Sequence, residues 1–113
     1  MTIKRKVIGY RLPHAVSPWG PVSEVRDIGN GVCVVSTPSH GGYYVPDDML
    51  EHIPAKHRAI AASWSGDEHW YEEDCCWAYV CLVFPDLFPP EALEHAEGMA
   101  GRLSARTTAV APW

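Results

Sequence analysis

A histidine set among hydroxyls and glycines is the pattern with the widest chemical reach in this 113-residue chain. Ser36-Thr37-Pro38-Ser39-His40-Gly41-Gly42 lies between the apolar runs Val32-Cys33-Val34-Val35 and Tyr43-Tyr44-Val45. Hydroxyls and an imidazole donate and accept hydrogen bonds, and paired glycines let the backbone bend tightly at a sheet edge. Two uses follow. In one, Ser36, Thr37 and Ser39 satisfy backbone groups of a turn and His40 caps a neighbouring element. In the other, His40 works as a general acid-base group with Ser39 as nucleophile. A carboxylate of Glu72, Glu73 or Asp74 would then orient it, if the fold brings the two stretches together. No partner stands at a spacing that fixes a role. The adjacency of Ser39 and His40 is no evidence, because neighbours on an extended segment point to opposite sides.

Metal chemistry is the next possibility. His40, His52, His57 and His69, with the acids around Glu72, supply nitrogen and oxygen donors, but the spacings are poor. His52 and His57 are separated by Pro54, and only His69 and Glu72 have the three-residue spacing that puts two ligands on one helical face. No metal is expected. No phosphate-binding glycine loop, dinucleotide fingerprint or nucleophile elbow is present, so no cofactor is expected either.

The third pattern is acidic and aromatic. Asp67, Glu68, Glu72, Glu73 and Asp74 crowd together, interleaved with Trp64, Trp70, Tyr71, Trp77 and Tyr79. Most of these rings should be core. Trp and Tyr amid charge are also frequent anchors of protein interfaces, and Trp70-Tyr71 lies outside any obvious apolar stripe. Asp67, Glu68, Trp70, Tyr71, Glu72, Glu73 and Asp74 therefore form the candidate binding face.

Charge sharpens that reading. The net charge is −5, yet residues 1–26 carry Lys4, Arg5, Lys6, Arg11 and Arg26 against Glu24 alone. From Asp27 onward thirteen acids face four bases. Such a surface repels nucleic acid, so direct binding to it is not expected; it suits a protein partner with a basic surface.

These patches need a scaffold, and 113 residues fit a single domain, with a flexible tail at 105–113. With 47% hydrophobic and 20% charged residues the chain should fold. No apolar run approaches the roughly 20 residues that span a bilayer, and too few apolar residues follow Met1–Lys6 for a signal peptide. No membrane partner is expected, and the location expected is cytoplasmic. Cys33, Cys75, Cys76 and Cys81 show no CxxC spacing and read as small buried apolar residues rather than a disulfide framework.

The elements follow from local pattern. Lys6–Leu12 reads as a short edge strand before Pro13. Val22–Ile28 and Val32–Ser36 read as a hairpin around Gly29-Asn30-Gly31, residues that tolerate positive φ. Tyr43-Tyr44-Val45 adds a strand. Pro46–Ile53 reads as a helix of about two turns, and Ala55–Trp64 as a second, broken at Ser65-Gly66-Asp67. Cys75–Phe84 is apolar throughout and reads as a helix, with Glu72, Glu73 and Asp74 at its positive end and Pro85 as its stop. Pro90 opens the last helix, which carries a stripe of Leu93, Ala96, Ala100 and Leu103; from Thr107 the chain reads as a tail. The expected class is α+β: a small antiparallel sheet of three to four strands in the N-terminal half, packed against three to four helices in the C-terminal half.

Taken as a set, Ser36–Gly42, Ile53-Pro54, Tyr71-Glu72-Glu73-Asp74, Trp77 and Phe84-Pro85 resemble an uncharacterised bacterial domain family borne on plasmids and phages, over Val32 to Leu103. The basic amino end and Cys75-Cys76 are not part of that pattern. The family carries no activity to transfer, so the resemblance implies a context, mobile elements. Many small acidic domains of such elements inhibit host defence, as anti-CRISPR and anti-restriction proteins do. The leading expectation is thus a non-enzymatic protein binder, an inhibitor of a nucleic-acid-handling host complex. The alternative is a small hydrolase or transferase using His40, Ser39 and a carboxylate of Glu72, Glu73 or Asp74.

Overall fold

The computed structural model describes residues 16–110, with side chains as far as Leu103. The expected strand at Lys6–Leu12, the basic Lys4, Arg5, Lys6 and Arg11, and Trp113 lie outside the described residues. The architecture is α+β. A tiny hairpin of β1 (Val16–Ser17) and β2 (Gly20–Pro21) comes first. Its turn is tied by Ser17 Oγ, which donates to the Gly20 carbonyl at 2.9 Å and accepts the Trp19 N–H at 3.2 Å. That fixes the direction in which the Trp19 indole leaves the chain.

The main sheet holds β3 (Glu24–Gly29), β4 (Val32–Ser36), β5 (Gly41–Tyr44) and β6 (Trp70–Glu72), antiparallel and adjacent in that order. Asn30 and Gly31 form the two-residue turn between β3 and β4, with φ of 56° and 86°. Both central residues in the left-handed region match the twist of the flanking strands, which is why an Asn-Gly pair closes this hairpin. The register places Val35 opposite Gly42 and Tyr43 opposite Tyr71. The fourth strand thus comes from beyond the sequence midpoint, where none was expected.

Two helices cross from β5 to β6. The first, α1 (Asp47–Leu50), is one turn rather than the expected two, although Leu50 and Ile53 are both buried. Next, α2 (Ala55–Ser65) matches its expected span and stops where the Gly66 N–H donates to the Ala62 carbonyl at 2.7 Å. The ambiguous apolar run is helical, as α3 (Trp77–Val83), with Ala78, Tyr79, Val80 and Cys81 all buried. Its first turn holds no acid, contrary to expectation. Trp70-Tyr71-Glu72 is β-prone and pairs with β5, which draws Glu72 into the sheet and leaves Glu73 and Asp74 in the turn before α3. A 3-10 turn, Pro85–Leu87, leads to α4 (Ala92–Val110), which continues through the residues read as a tail as far as Val110. Ala96, Ala100 and Leu103 are buried, whereas Leu93 of the expected stripe stays 37% exposed, because Ala92 rather than Leu93 packs against the core in the first turn.

The sheet is covered on both faces. One face carries Val32, Tyr43 and Tyr71 against the helices, in a core with Leu50, Ile53, Ile60 and Tyr79. The other carries Val25, Cys33, Val35, Tyr44 and Trp70, with Trp19 and Val22 packed against it. Period-two alternation sends neighbouring residues to opposite faces, so Trp70 and Tyr71 are buried in different cores. Among the described residues no helix is long and apolar enough to cross a membrane.

Candidate functional site

The loop joining β4 to β5 closes on its own backbone. Thr37 Oγ1 donates to the His40 carbonyl at 2.8 Å and accepts the His40 N–H at 3.0 Å, while the Thr37 N–H bonds the same carbonyl at 2.8 Å. Thr37 is buried; Pro38, Ser39 and His40 are exposed. Gly42 pairs with Glu72, and the Glu73 N–H donates to the Gly41 carbonyl at 3.0 Å, so the loop and the acidic run do become neighbours. Their side chains do not assemble. Among the described residues the His40 ring makes no hydrogen bond or ion pair, and Glu72 Oε1 instead accepts the Cys75 thiol at 3.2 Å. Thr37, which bridges the turn, is the member of the motif that holds its shape.

The acidic run is divided by β6. Asp67 and Glu68 are exposed at one end of that strand, Glu73 and Asp74 at the other, with roughly 10 Å of chain between them. Trp70 is 7% exposed and Tyr71 fully buried, which corrects the expectation of an aromatic anchor there. A side chain packed in a core cannot offer its area to a partner. Among the described residues the Tyr71 hydroxyl finds no hydrogen-bond partner, and burial, with Glu68 beside it, holds the phenol far above its ordinary range.

A different constellation is built at the Asp67 end. Asp67 Oδ1 accepts the His69 N–H at 2.7 Å and lies 2.6 Å from His69 Nδ1, a local turn that Asp favours. The pairing of Tyr44 with Trp70 then carries His69 toward the start of α1, where Asp47 Oδ1 sits 2.6 Å from His69 Nε2. The ring stacks on Tyr44, with centroids 5.9 Å apart. Burial disfavours the imidazolium, but the flanking carboxylates outweigh it and raise the His69 pKa above 6.5. Burial likewise works against the Asp67 carboxylate, yet the backbone and ring of His69 hold its pKa below 3.8. The contacts thus favour the charged forms of both His69 and Asp67, in an Asp–His–Asp bridge.

The bridge borders an open groove of about 450 Å³. Ala55, Ala59 and Ala62, spaced along one side of α2, give it a small apolar wall, and Arg58, Asp67, Glu68 and His69 line the rest. Arg58 Nε lies 3.8 Å from Glu68 Oε1, an ion pair without a hydrogen bond. Ser65 Oγ fixes the far end, 3.0 Å from the carbonyls of both Ala61 and Trp70. Sequence reasoning weighed His69 only as a metal donor and did not pair it with Asp47. The two-residue spacing of Asp67 and His69 was a readable signal for half of the bridge; the other half depends on strand pairing. Among the described residues no group of three or more His, Cys, Asp or Glu side chains could hold a metal ion.

This geometry spans most of a segment that matches a known family model, described as a domain of unknown function, DUF7007, over residues 13–109. The chain belongs to this family. The match is wider than the Val32–Leu103 span of the resemblance and takes in the hairpin that carries Trp19. Among curated proteins and solved structures nothing matches the chain.

Proposed function

We propose that the domain acts by binding a protein partner with a basic surface, through the groove between α2 and the loop ahead of β6. The observation that carries this reading is the pair of carboxylates, Asp67 and Glu68, on one open groove, with Asp47 held beside it by its bond to His69 from 22 positions away. Exposed carboxylates beside small alanines accept Lys or Arg side chains without a steric barrier, and the charge speeds encounter. Glu73 and Asp74 form a second, separate acidic spot. In the plasmid- and phage-borne setting that the sequence resemblance implies, such a binder is an inhibitor of a nucleic-acid-handling host defence complex, of the anti-CRISPR or anti-restriction kind.

The hydrolase or transferase reading has less support. Ser39 and His40 sit exposed in a turn, with no carboxylate bonded to the ring among the described residues. The deciding experiment is a tagged pull-down with expressed defence complexes at low and high salt, using Asp67→Lys/Glu68→Lys beside Glu73→Lys/Asp74→Lys. A salt-sensitive complex lost in the first double variant and kept in the second supports the groove. A complex indifferent to the first variant sinks it.

A further inference from the structure

The two carboxylates of the bridge accept hydrogen bonds and cannot donate them. An imidazolium has two N–H donors and satisfies both; a neutral imidazole has one, and must turn a lone pair toward one of the carboxylates. We propose that Asp47–His69–Asp67 is a proton-operated clip. With His69 protonated, the clip ties α1 to the loop ahead of β6 and offsets the acidic rim of the groove. Loss of the proton frees Asp47 and strengthens the hold on a basic partner. The last step rests on the reading of the groove as a basic-partner site; the clip itself does not.

The structure names the arm that opens. Asp67 also accepts the His69 backbone N–H at 2.7 Å and is two residues away, so the Nδ1 proton stays on it. Asp47 reaches in from α1, its side chain 92% exposed, with no other side-chain hydrogen bond among the described residues. Water solvates that carboxylate as soon as Nε2 stops donating. The strand end stays in place, because the Val45 N–H donates to the His69 carbonyl at 2.8 Å. The other groups near the ring do not take over the transition. Tyr44 stacks on it, and burial, followed by Asp47 and Asp67, raises its phenol above 10, so it stays neutral as His69 titrates. Arg58 and Glu68, also on the groove, already form an ion pair with each other.

The test is a histidine-ring and amide NMR titration of the full chain, wild type beside Asp47→Asn, with a parallel binding titration against an oligolysine peptide. In the wild type the His69 midpoint lies above 6.5, the neutral ring carries its proton on Nδ1, and the Asp47 and Asp48 amide signals move with the same midpoint. In Asp47→Asn the carboxamide donates to neutral Nε2, so the clip persists and those amide signals cease to follow the ring. A His69 midpoint at or below 6.5, a neutral ring protonated on Nε2, or Asp47 and Asp48 signals flat across the midpoint overturns the clip. Peptide affinity should rise about two- to fivefold through the same midpoint, as one exposed charge interaction allows. A ring that titrates as described, with peptide bound equally tightly on both sides of the midpoint, retains the clip and overturns its coupling to the groove; no peptide bound at either pH overturns the basic-partner reading.

Discussion

The indole of Trp19 occupies the space that a side chain on Gly42 would fill. Trp19 also meets Trp70 edge to face, with ring centroids 5.6 Å apart, so the small hairpin at the start of the described chain roofs one face of the sheet. Gly42→Ala would set a methyl carbon against the ring and 2.5 Å from the Tyr71 carbonyl oxygen. A loss of about 1–3 kcal/mol is expected in chemical denaturation, as for overpacked sites. Adding Trp19→Ala should relieve it only in part, because the backbone contact remains. Full relief would show that the Tyr71 carbonyl imposes no limit.

Tyr71 is fully buried, with no partner for its hydroxyl among the described residues, so Tyr71→Phe removes a desolvated polar group and keeps the ring. Stability should be unchanged or raised by up to about 2 kcal/mol, whereas Tyr71→Ala should cost about 3–5 kcal/mol. A marked loss in Tyr71→Phe would mean that the hydroxyl has a partner, contrary to this geometry.

In the turn between β4 and β5 the weight falls on Thr37. Ser39→Ala and His40→Ala, at exposed positions, should stay within about 0.5 kcal/mol of the wild type. Thr37→Val removes both hydroxyl bonds to His40 and should cost about 1–3 kcal/mol. Thermal melts of the three variants order them; a large loss in His40→Ala would give that side chain a structural role.

Two histidines pull stability in opposite directions with pH. His69 has a raised pKa, so its contribution is whole below 6.5 and fades as pH rises through the folded value. His57 lies under Tyr79, with ring centroids 4.2 Å apart, and burial, then Lys56, lowers its pKa. The unfolded chain therefore takes up that proton first, and stability falls as pH drops below 6.5. Asp67, held below 3.8, adds a loss at still lower pH. His69→Gln should flatten the alkaline side of the profile and His57→Phe the side just below 6.5. A melting profile unchanged in both variants would refute the assignment.

The four cysteines should separate by reactivity. Burial, then Cys75 and Glu72, pushes the Cys76 thiol up to about 12; burial, then Asp27, pushes Cys33 up to about 11; and burial raises Cys81. Cys75 is half-buried. Alkylation of the native protein near pH 8 should modify Cys75 first, the others following only on unfolding, as read by peptide mass spectrometry. Early modification of Cys76 would contradict its burial.

Much of the scaffold was written locally. Asn30-Gly31 determined the hairpin, because few residue pairs accept two successive positive φ values. Ala55–Trp64 showed its helix and its stop, and the Cys75–Phe84 run showed that it must be buried, since its length left no polar face. Pattern also marked Ser36–Gly42 as a turn. What pattern could not carry was contact between distant stretches. Trp70 and Tyr71 stood among acids and looked exposed, yet strand pairing with Tyr44 and Tyr43 gave each a separate core, because alternate residues of a strand face opposite ways. The same pairing split the acidic run and brought Asp47, at the start of α1, to His69 across the intervening α2. The sequence by itself determined the class of fold and the supply of charge. Only the tertiary structure decided which charges meet, because hydrogen bonds of 2.6 Å between residues 22 positions apart depend on strand register and leave no periodic trace in the chain.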